Sequence, residues 1–248
     1  MRRPLPSSAL LVLLLAASCA FAEVSSAPHA DRVRYRLALL RRGPSWTAER
    51  TPRTDSIQAG HMANIRRMAD LGVLLTAGPF ENGGALRGLF VFAPGEAALG
   101  TLLAGNPAIA SGRLACEFHD WWAPRGLGDD YRRRAAEGMR RDSMVTFAFV
   151  LLRRAEGAVD ERAPRGGRGG EGAPRGPERM SRAPRPEGGP LVFAGRIEGA
   201  GELRAVHVYA SDRATAERAL AEDPGVRSGR LVPEWLTWWT AWGTVPGY

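Results

Sequence analysis

Lysine is missing from this chain: every one of its 34 basic residues is arginine, set against 26 acidic residues for a formal net charge of +8. Schiff-base chemistry on a lysine amine and a Walker-type phosphate lysine are therefore excluded. The all-arginine usage, in a chain rich in alanine, glycine and proline, reads as the composition of a GC-rich genome, and nucleic acid is not an expected partner. Cysteine is scarce, with only Cys19 and Cys116. The four histidines, His29, His61, His119 and His207, are scattered without H-x-x-x-H spacing, and there is no C-x-x-C, so neither a metal nor a cofactor is expected. A G-x-S-x-G nucleophile elbow is also absent, which removes the usual frame for Ser–His–Asp catalysis.

No apolar run is long enough to span a bilayer. The run over residues 9–17 follows Arg2 and Arg3 and precedes Ala20-Phe21-Ala22, the pattern of a secretory signal peptide over residues 1–22. A second cut stays open, because Ala16-Ala17-Ser18-Cys19 resembles a lipobox that would leave an acylated, membrane-anchored Cys19. Either cut puts the expected location outside the cytoplasm, periplasmic or secreted. Cys116 is then without an intrachain disulfide partner, and its apolar neighbours read it as a small packed residue.

What is present is one unit written twice. Ser111 begins SGRLACEFHDWW and Ser228 begins SGRLVPEWLTWW. A shift of 117 residues lays 72–122 over 189–239 without a gap and gives 21 identities in 51 positions, an internal repeat. The first unit, 32–126, opens with a strand at Val33 and continues with a helical pattern over 56–71, where Asp55 and Gln58 offer a capping pair and Gly72 a C-cap. Strands from Val73 and Leu86 follow, then a helix over 95–104 and a strand over 113–122. This β-α-β-β-α-β order is the ferredoxin-like pattern.

A linker is expected over 127–143, and the second unit, 144–245, begins with VTFAFVLLRR. Where its first helix should follow, residues 155–189 form an Arg/Gly/Pro-rich insertion with seven arginines, six acidic residues and three Ala-Pro-Arg steps. Such a segment buries too little to offset its ordering entropy and is predicted to be disordered, so this copy lacks its first helix. From Leu191 the remaining β-β-α-β pattern is intact, with Ser211 as the expected N-cap. The predicted class is α+β: two ferredoxin-like repeats packed sheet to sheet as an intrachain α+β barrel, a monomer with pseudo-dimer architecture.

The stretch GHMANIRRMADLGVLLTAGPF from Gly60, with LRGLFVF and the runs 106–113 and 223–230, resembles the YCII-related family of small α+β barrel proteins. That resemblance implies an acid/base pair made by a helix histidine and an acidic residue after the Gly-Pro turn. The histidine falls on His61, and the acidic place reads Glu81, a glutamate where the family has aspartate. From spacing alone, His61 lies four residues from both Ile57 and Ile65 and shares the helix stripe facing the sheet, so it is either a packed, hydrogen-bonded imidazole or a tuned acid/base.

Strand alternation sets Arg113, Glu117, His119 and Trp121 on one face, and Arg230 and Glu234 on the matching face of the other copy. Arg113, Glu117, Trp121 and Arg230 are candidate ligand contacts for a small anionic or aromatic molecule; they serve equally as salt bridges and packing between the halves. The expected function is an exported small-molecule site beside His61 and Glu81 with acid/base activity. Its rival is a non-catalytic ligand-binding or envelope protein.

Overall fold

The computed structural model describes residues 32–95, 99–139, 143–157, 189–199 and 201–248. The expected leader, Cys19 and most of the predicted disordered insertion lie outside the described residues. The fold is α+β, with one eight-stranded antiparallel sheet and, among the described residues, six helices. The first half supplies β1 (Arg32–Arg42), α1 (Pro52–Asp70), β2 (Leu74–Pro79), β3 (Leu86–Phe92), α2 (Leu99–Ala104), α3 (Pro107–Ala110) and β4 (Leu114–Pro124). After α4 (Asp129–Ala136), the second supplies β5 (Met144–Arg154), β6 (Leu191–Glu198), β7 (Leu203–Tyr209), α5 (Arg213–Leu220), α6 (Pro224–Arg227) and β8 (Leu231–Ala241). The strands run in the order β2-β3-β1-β4-β6-β7-β5-β8, so the second half repeats the strand order of the first.

Alternation explains the packing. Successive strand side chains point to opposite faces, so a strand buried on both faces must be apolar at every position. Leu37 to Leu40 of β1 and Val150 to Leu152 of β5 meet that condition and are all buried. Leu37 and Leu39 join Leu89, Phe149, Leu151, Val206 and Val208 in a central core drawn from both halves. Ala38 and Leu40 turn the other way, onto Met68 of α1 and Leu103 of α2, while Val150 and Leu152 meet Ala216 and Leu220 of α5.

Several boundaries differ from the sequence expectation. The first helix starts earlier than predicted, because Thr51 rather than Asp55 is the N-cap: its hydroxyl accepts from the Thr54 N–H at 3.2 Å, and Thr54 Oγ1 accepts from the Thr51 N–H at 2.8 Å. At α5 the cap is Asp212, not Ser211, since the carboxylate accepts from the Thr215 N–H at 2.8 Å. The second helix of the first half ends at Ala104 as expected, and an additional short helix, α3, follows it, capped by Asn106. The linker span holds α4, tied to the end of the chain by hydrogen bonds from the Gly128 N–H to the Thr244 oxygen and from the Tyr131 N–H to the Gly243 oxygen, both 2.8 Å.

The halves join at two seams. At one, β4 pairs with β6 through Asp120–Glu198, Trp121–Ile197 and Trp122–Arg196. At the other, the end strands β2 and β8 meet in a Phe80–Trp238 bridge, and the Glu81 N–H donates to the Thr237 oxygen at 3.0 Å. Both seams carry a glycine where a tryptophan arrives. A Cβ on Gly78 would lie 1.7 Å from the Trp239 carbonyl oxygen and 2.7 Å from Trp238 Nε1, and one on Gly195 would lie 2.4 Å from both Trp121 Nε1 and the Trp122 oxygen.

Overpacking against backbone cannot be relieved by rotating a side chain, so the seams must move. Gly78→Ala and Gly195→Ala are each expected to destabilise by about 2–3 kcal/mol. Gly100→Ala, with open space at its Cβ inside α2, is the comparison and is expected to be neutral to slightly stabilising. The urea midpoint of each variant measures this directly; seam variants as stable as Gly100→Ala would refute the close approach.

Candidate functional site

The first helix turns His61, Asn64 and Met68 inward, the spacing of one helix face. His61 is only 8% exposed and stacks on Phe90 at a ring separation of 5.9 Å. Its Nδ1 lies 3.0 Å from Asn106 Oδ1, which also accepts from the Ala108 N–H at 3.1 Å. Asn106 Nδ2 donates to Asn64 Oδ1 at 3.0 Å, and Asn64 Nδ2 donates to the Leu102 oxygen at 3.3 Å. Because Asn106 Oδ1 can only accept, His61 donates from Nδ1, and its neutral form is the Nδ1–H tautomer. Burial lowers the His61 pKa, with the Asn106 bond opposing the shift. The network ties α1 to the break between α2 and α3.

Glu81 does something else. It is exposed at the end of β2, where Oε2 accepts from Trp239 Nε1 of β8 at 3.3 Å. Its repeat partner Glu198 takes the Trp122 Nε1 proton at 2.7 Å across the other seam. His61 and Glu81 are thus engaged with different partners, one inside the helix–sheet layer and one bracing a seam.

The four expected ligand contacts are also dispersed. Arg113 precedes β4, stacks over Trp46 at 5.0 Å and donates from Nη2 to the Thr47 oxygen at 2.9 Å. Glu117 accepts from Arg41 Nε at 2.5 Å and lies 2.9 Å from His119 Nε2. These contacts hold its carboxyl below the usual range even though desolvation opposes them. Desolvation lowers the His119 pKa in turn, against the pull of Glu117. Trp121 is 2% exposed in the central core beside Tyr35 and Phe193, and Arg230 sits exposed in the turn before β8. Cys116 packs beside the α1–α2 layer, where burial pushes its thiol up to about 11, so it stays protonated at neutral pH.

Among the described residues, two hollows occupy the same place in each half. The first, about 470 Å³, is lined by Arg34, Arg36, Phe118 and Asp120 with the turn at Gly95. The second, about 250 Å³, is lined by Thr146, Ala148, Trp235 and Thr237, with Asp212 and Arg213 from the following turn. In the first hollow Arg36 Nη1 donates to Asp120 Oδ1 at 2.7 Å and stacks over the exposed Phe118 ring at 5.2 Å, while Arg34 stands 3.8 Å from Asp120. Two guanidiniums over one carboxylate leave a positive surplus beside an apolar face. In the second hollow the arginine pair is replaced by Thr146 and Ala148, and Arg213 is held by Glu217 at 2.7 Å.

The chain matches no protein family, no curated protein and no solved structure.

Sequence reasoning passed over Arg34, Arg36, Phe118 and Asp120. The signal was present: Arg34 and Arg36 are two apart on a strand and share a face, and alternation puts Phe118 and Asp120 on one face of β4. Missing was the register, Arg36 opposite Asp120 and Ala38 opposite Phe118, which brings the two strands together.

His207 is a second buried imidazole, on β7 at the repeat position of Phe90, with Nδ1 3.3 Å from the Tyr209 hydroxyl. Desolvation lowers its pKa to about 4. The unfolded chain, titrating near 6.5, binds this proton first as pH falls. Stability from His207 is therefore full above pH 6.5 and is lost on the way down through about 4, a total on the order of 3 kcal/mol. His61 acts in the same direction. Urea midpoints measured from pH 7 to pH 4 should fall, and His207→Phe, which installs the residue of the first half, should flatten the fall; an equal slope in both proteins would contradict the assignment.

Proposed function

We propose that this chain is a non-catalytic ligand-binding protein in which two ferredoxin-like halves close into a single α+β barrel of the YCII-related kind. Its ligand is a small aromatic or otherwise planar carboxylate, held in the hollow of the first half. The single observation that carries this reading is the Arg34–Arg36 pair over Phe118 and Asp120, a cationic edge beside an exposed ring in the larger of the two repeat-related hollows. The ligand carboxylate takes charge-assisted hydrogen bonds from the guanidiniums, while its planar body covers Phe118. Barrel closure is supported by the Phe80–Trp238 bridge and by the matching strand order of the halves.

The acid/base pair expected of His61 and Glu81 is not assembled, because His61 is bonded to Asn106 and Glu81 to Trp239. The one imidazole–carboxylate pair among the described residues, His119 with Glu117, has its carboxylate already held by Arg41. The binding reading also keeps the chain a monomer with an unidentified small-molecule partner, exported through its leader or anchored at Cys19.

Benzoate is a suitable probe, titrated calorimetrically into the whole chain and followed by thermal shift, since stabilisation grows with ligand concentration over Kd. Millimolar or tighter binding is expected, weakened about tenfold by Arg36→Gln and similarly by Phe118→Ala, with His61→Gln retaining the wild-type Kd. Binding lost in His61→Gln and kept in Arg36→Gln would return the site to the first helix and overturn the proposal.

A further inference from the structure

A different cluster of arginines lies at the far end of β1. Trp46, in the loop after that strand, has three guanidinium carbons around its ring: Arg87 at 4.8 Å, Arg113 at 5.0 Å and Arg42 at 5.4 Å from the centroid. They come from three separate segments, the end of β1, the start of β3 and the turn before β4. The arrangement is therefore made by the tertiary fold and not by local sequence.

Three like charges repel at this separation, and none of the three forms an ion pair among the described residues. Of the carboxylates nearby, Glu117 is held by Arg41 and His119 and Asp55 by Arg50, and Glu49, in the same loop as Trp46, forms no ion pair with the cluster. The indole face offsets part of the repulsion through its quadrupole, but it carries no net charge. Arg113 directs Nη2 to the Thr47 oxygen, while its Nη1 is buried and finds no acceptor. Trp46, Arg87 and Arg113 are half-buried, with Arg42 exposed at the rim. The repeat keeps the three arginines, Arg154, Arg204 and Arg230 at the positions of Arg42, Arg87 and Arg113, but no tryptophan follows Arg154 before Trp235, so the indole at the centre belongs to the first half alone.

We infer that the Arg42–Arg87–Arg113 cluster around Trp46 is a second binding site, separate from the Arg34–Arg36 hollow, for a multiply charged oxyanion of the phosphate or sulfate type. Guanidiniums suit such a ligand because each presents paired N–H donors in a plane that matches two oxygens of a tetrahedral anion. Trp46 holds the three groups in place before the anion arrives, so little side-chain freedom is lost on binding.

Inorganic pyrophosphate, inorganic sulfate and acetate, each titrated calorimetrically into the full chain in low-salt buffer, test this. Pyrophosphate should bind once per chain, sulfate should compete with it, acetate should not, and added sodium chloride should weaken the interaction. Arg87→Gln and Arg42→Gln should each weaken pyrophosphate about tenfold, with thermal melts confirming that both variants fold. Benzoate binding should be unchanged in Arg87→Gln and pyrophosphate binding unchanged in Arg36→Gln, so that the two sites stand or fall separately. No saturable heat with pyrophosphate, competition by acetate as strong as by sulfate, or a wild-type Kd in both variants would overturn the inference and leave the cluster as packing around Trp46.

Discussion

The contact on which the rest depends is a bare glycine backbone under an indole, made once at each seam. Gly195 lies against Trp121 and Trp122, and Gly78 against Trp238 and Trp239. A side chain at either glycine would hold the neighbouring strand away and open the ladder between the halves. The indoles are not ideal fillers, because Nε1 of both Trp121 and Trp238 is buried with no acceptor among the described residues. An unsatisfied buried donor costs on the order of 1–3 kcal/mol. The large apolar area of each ring offsets that cost, and the neighbouring Trp122 and Trp239 point their Nε1 groups outward to Glu198 and Glu81.

Filling the centre in this way decides where a ligand can go. Trp121, Trp238, Phe80 and Phe149 are buried in the central core drawn from both halves, and the two hollows lie outside it. The helices cover only part of the outer face: α1 and α2 seat on Ala38, Leu40, Phe90 and Phe92, and β1 extends past them toward Arg34 and Arg36. The hollows lie between these strand ends and the segment that leads into the following helix, with Gly95 and Gly100 in one half and Ser211 to Arg213 in the other. The strands beneath them match in length, with β1, β4, β5 and β8 all 11 residues long.

Features set by local periodicity were legible in the sequence. The 117-residue offset matched β2, β3 and β4 to β6, β7 and β8, the helix stripe turned His61 inward, and alternation on β4 separated Cys116, toward the helices, from Trp121, in the core. Features set by distant pairing were not. The partner of His61 is Asn106, which lies 45 positions along the chain, and Asn106 was legible only as the residue before a helix-breaking proline. Glu81 faces β8 because the end strands meet, a fact that no local pattern around the Gly-Pro turn contains. The helix starts erred for a smaller reason: both Thr51 and Asp55 can cap, and Pro52, favoured at the first helical position, settles the choice for Thr51.

The positions at which the two copies agree and differ carry a further step. Gly78 and Gly195, Glu81 and Glu198, and the two Trp–Trp pairs agree, and all of them sit at seams where both sides must fit. Arg34, Arg36, Phe118 and Asp120 correspond to Thr146, Ala148, Trp235 and Thr237, and these line the hollows rather than the seams. Geometry therefore constrains the seams in both halves equally, whereas the hollows can diverge without cost to the fold. In the second half Arg213 lies over Trp235 at 5.6 Å, and its charge is already met by Glu217. The first half alone keeps a guanidinium beyond the one that Asp120 holds closest, Arg34 at 3.8 Å compared with Arg36 at 2.7 Å. A frame written twice thus carries one cationic hollow, and the asymmetry follows from side chains the frame does not need.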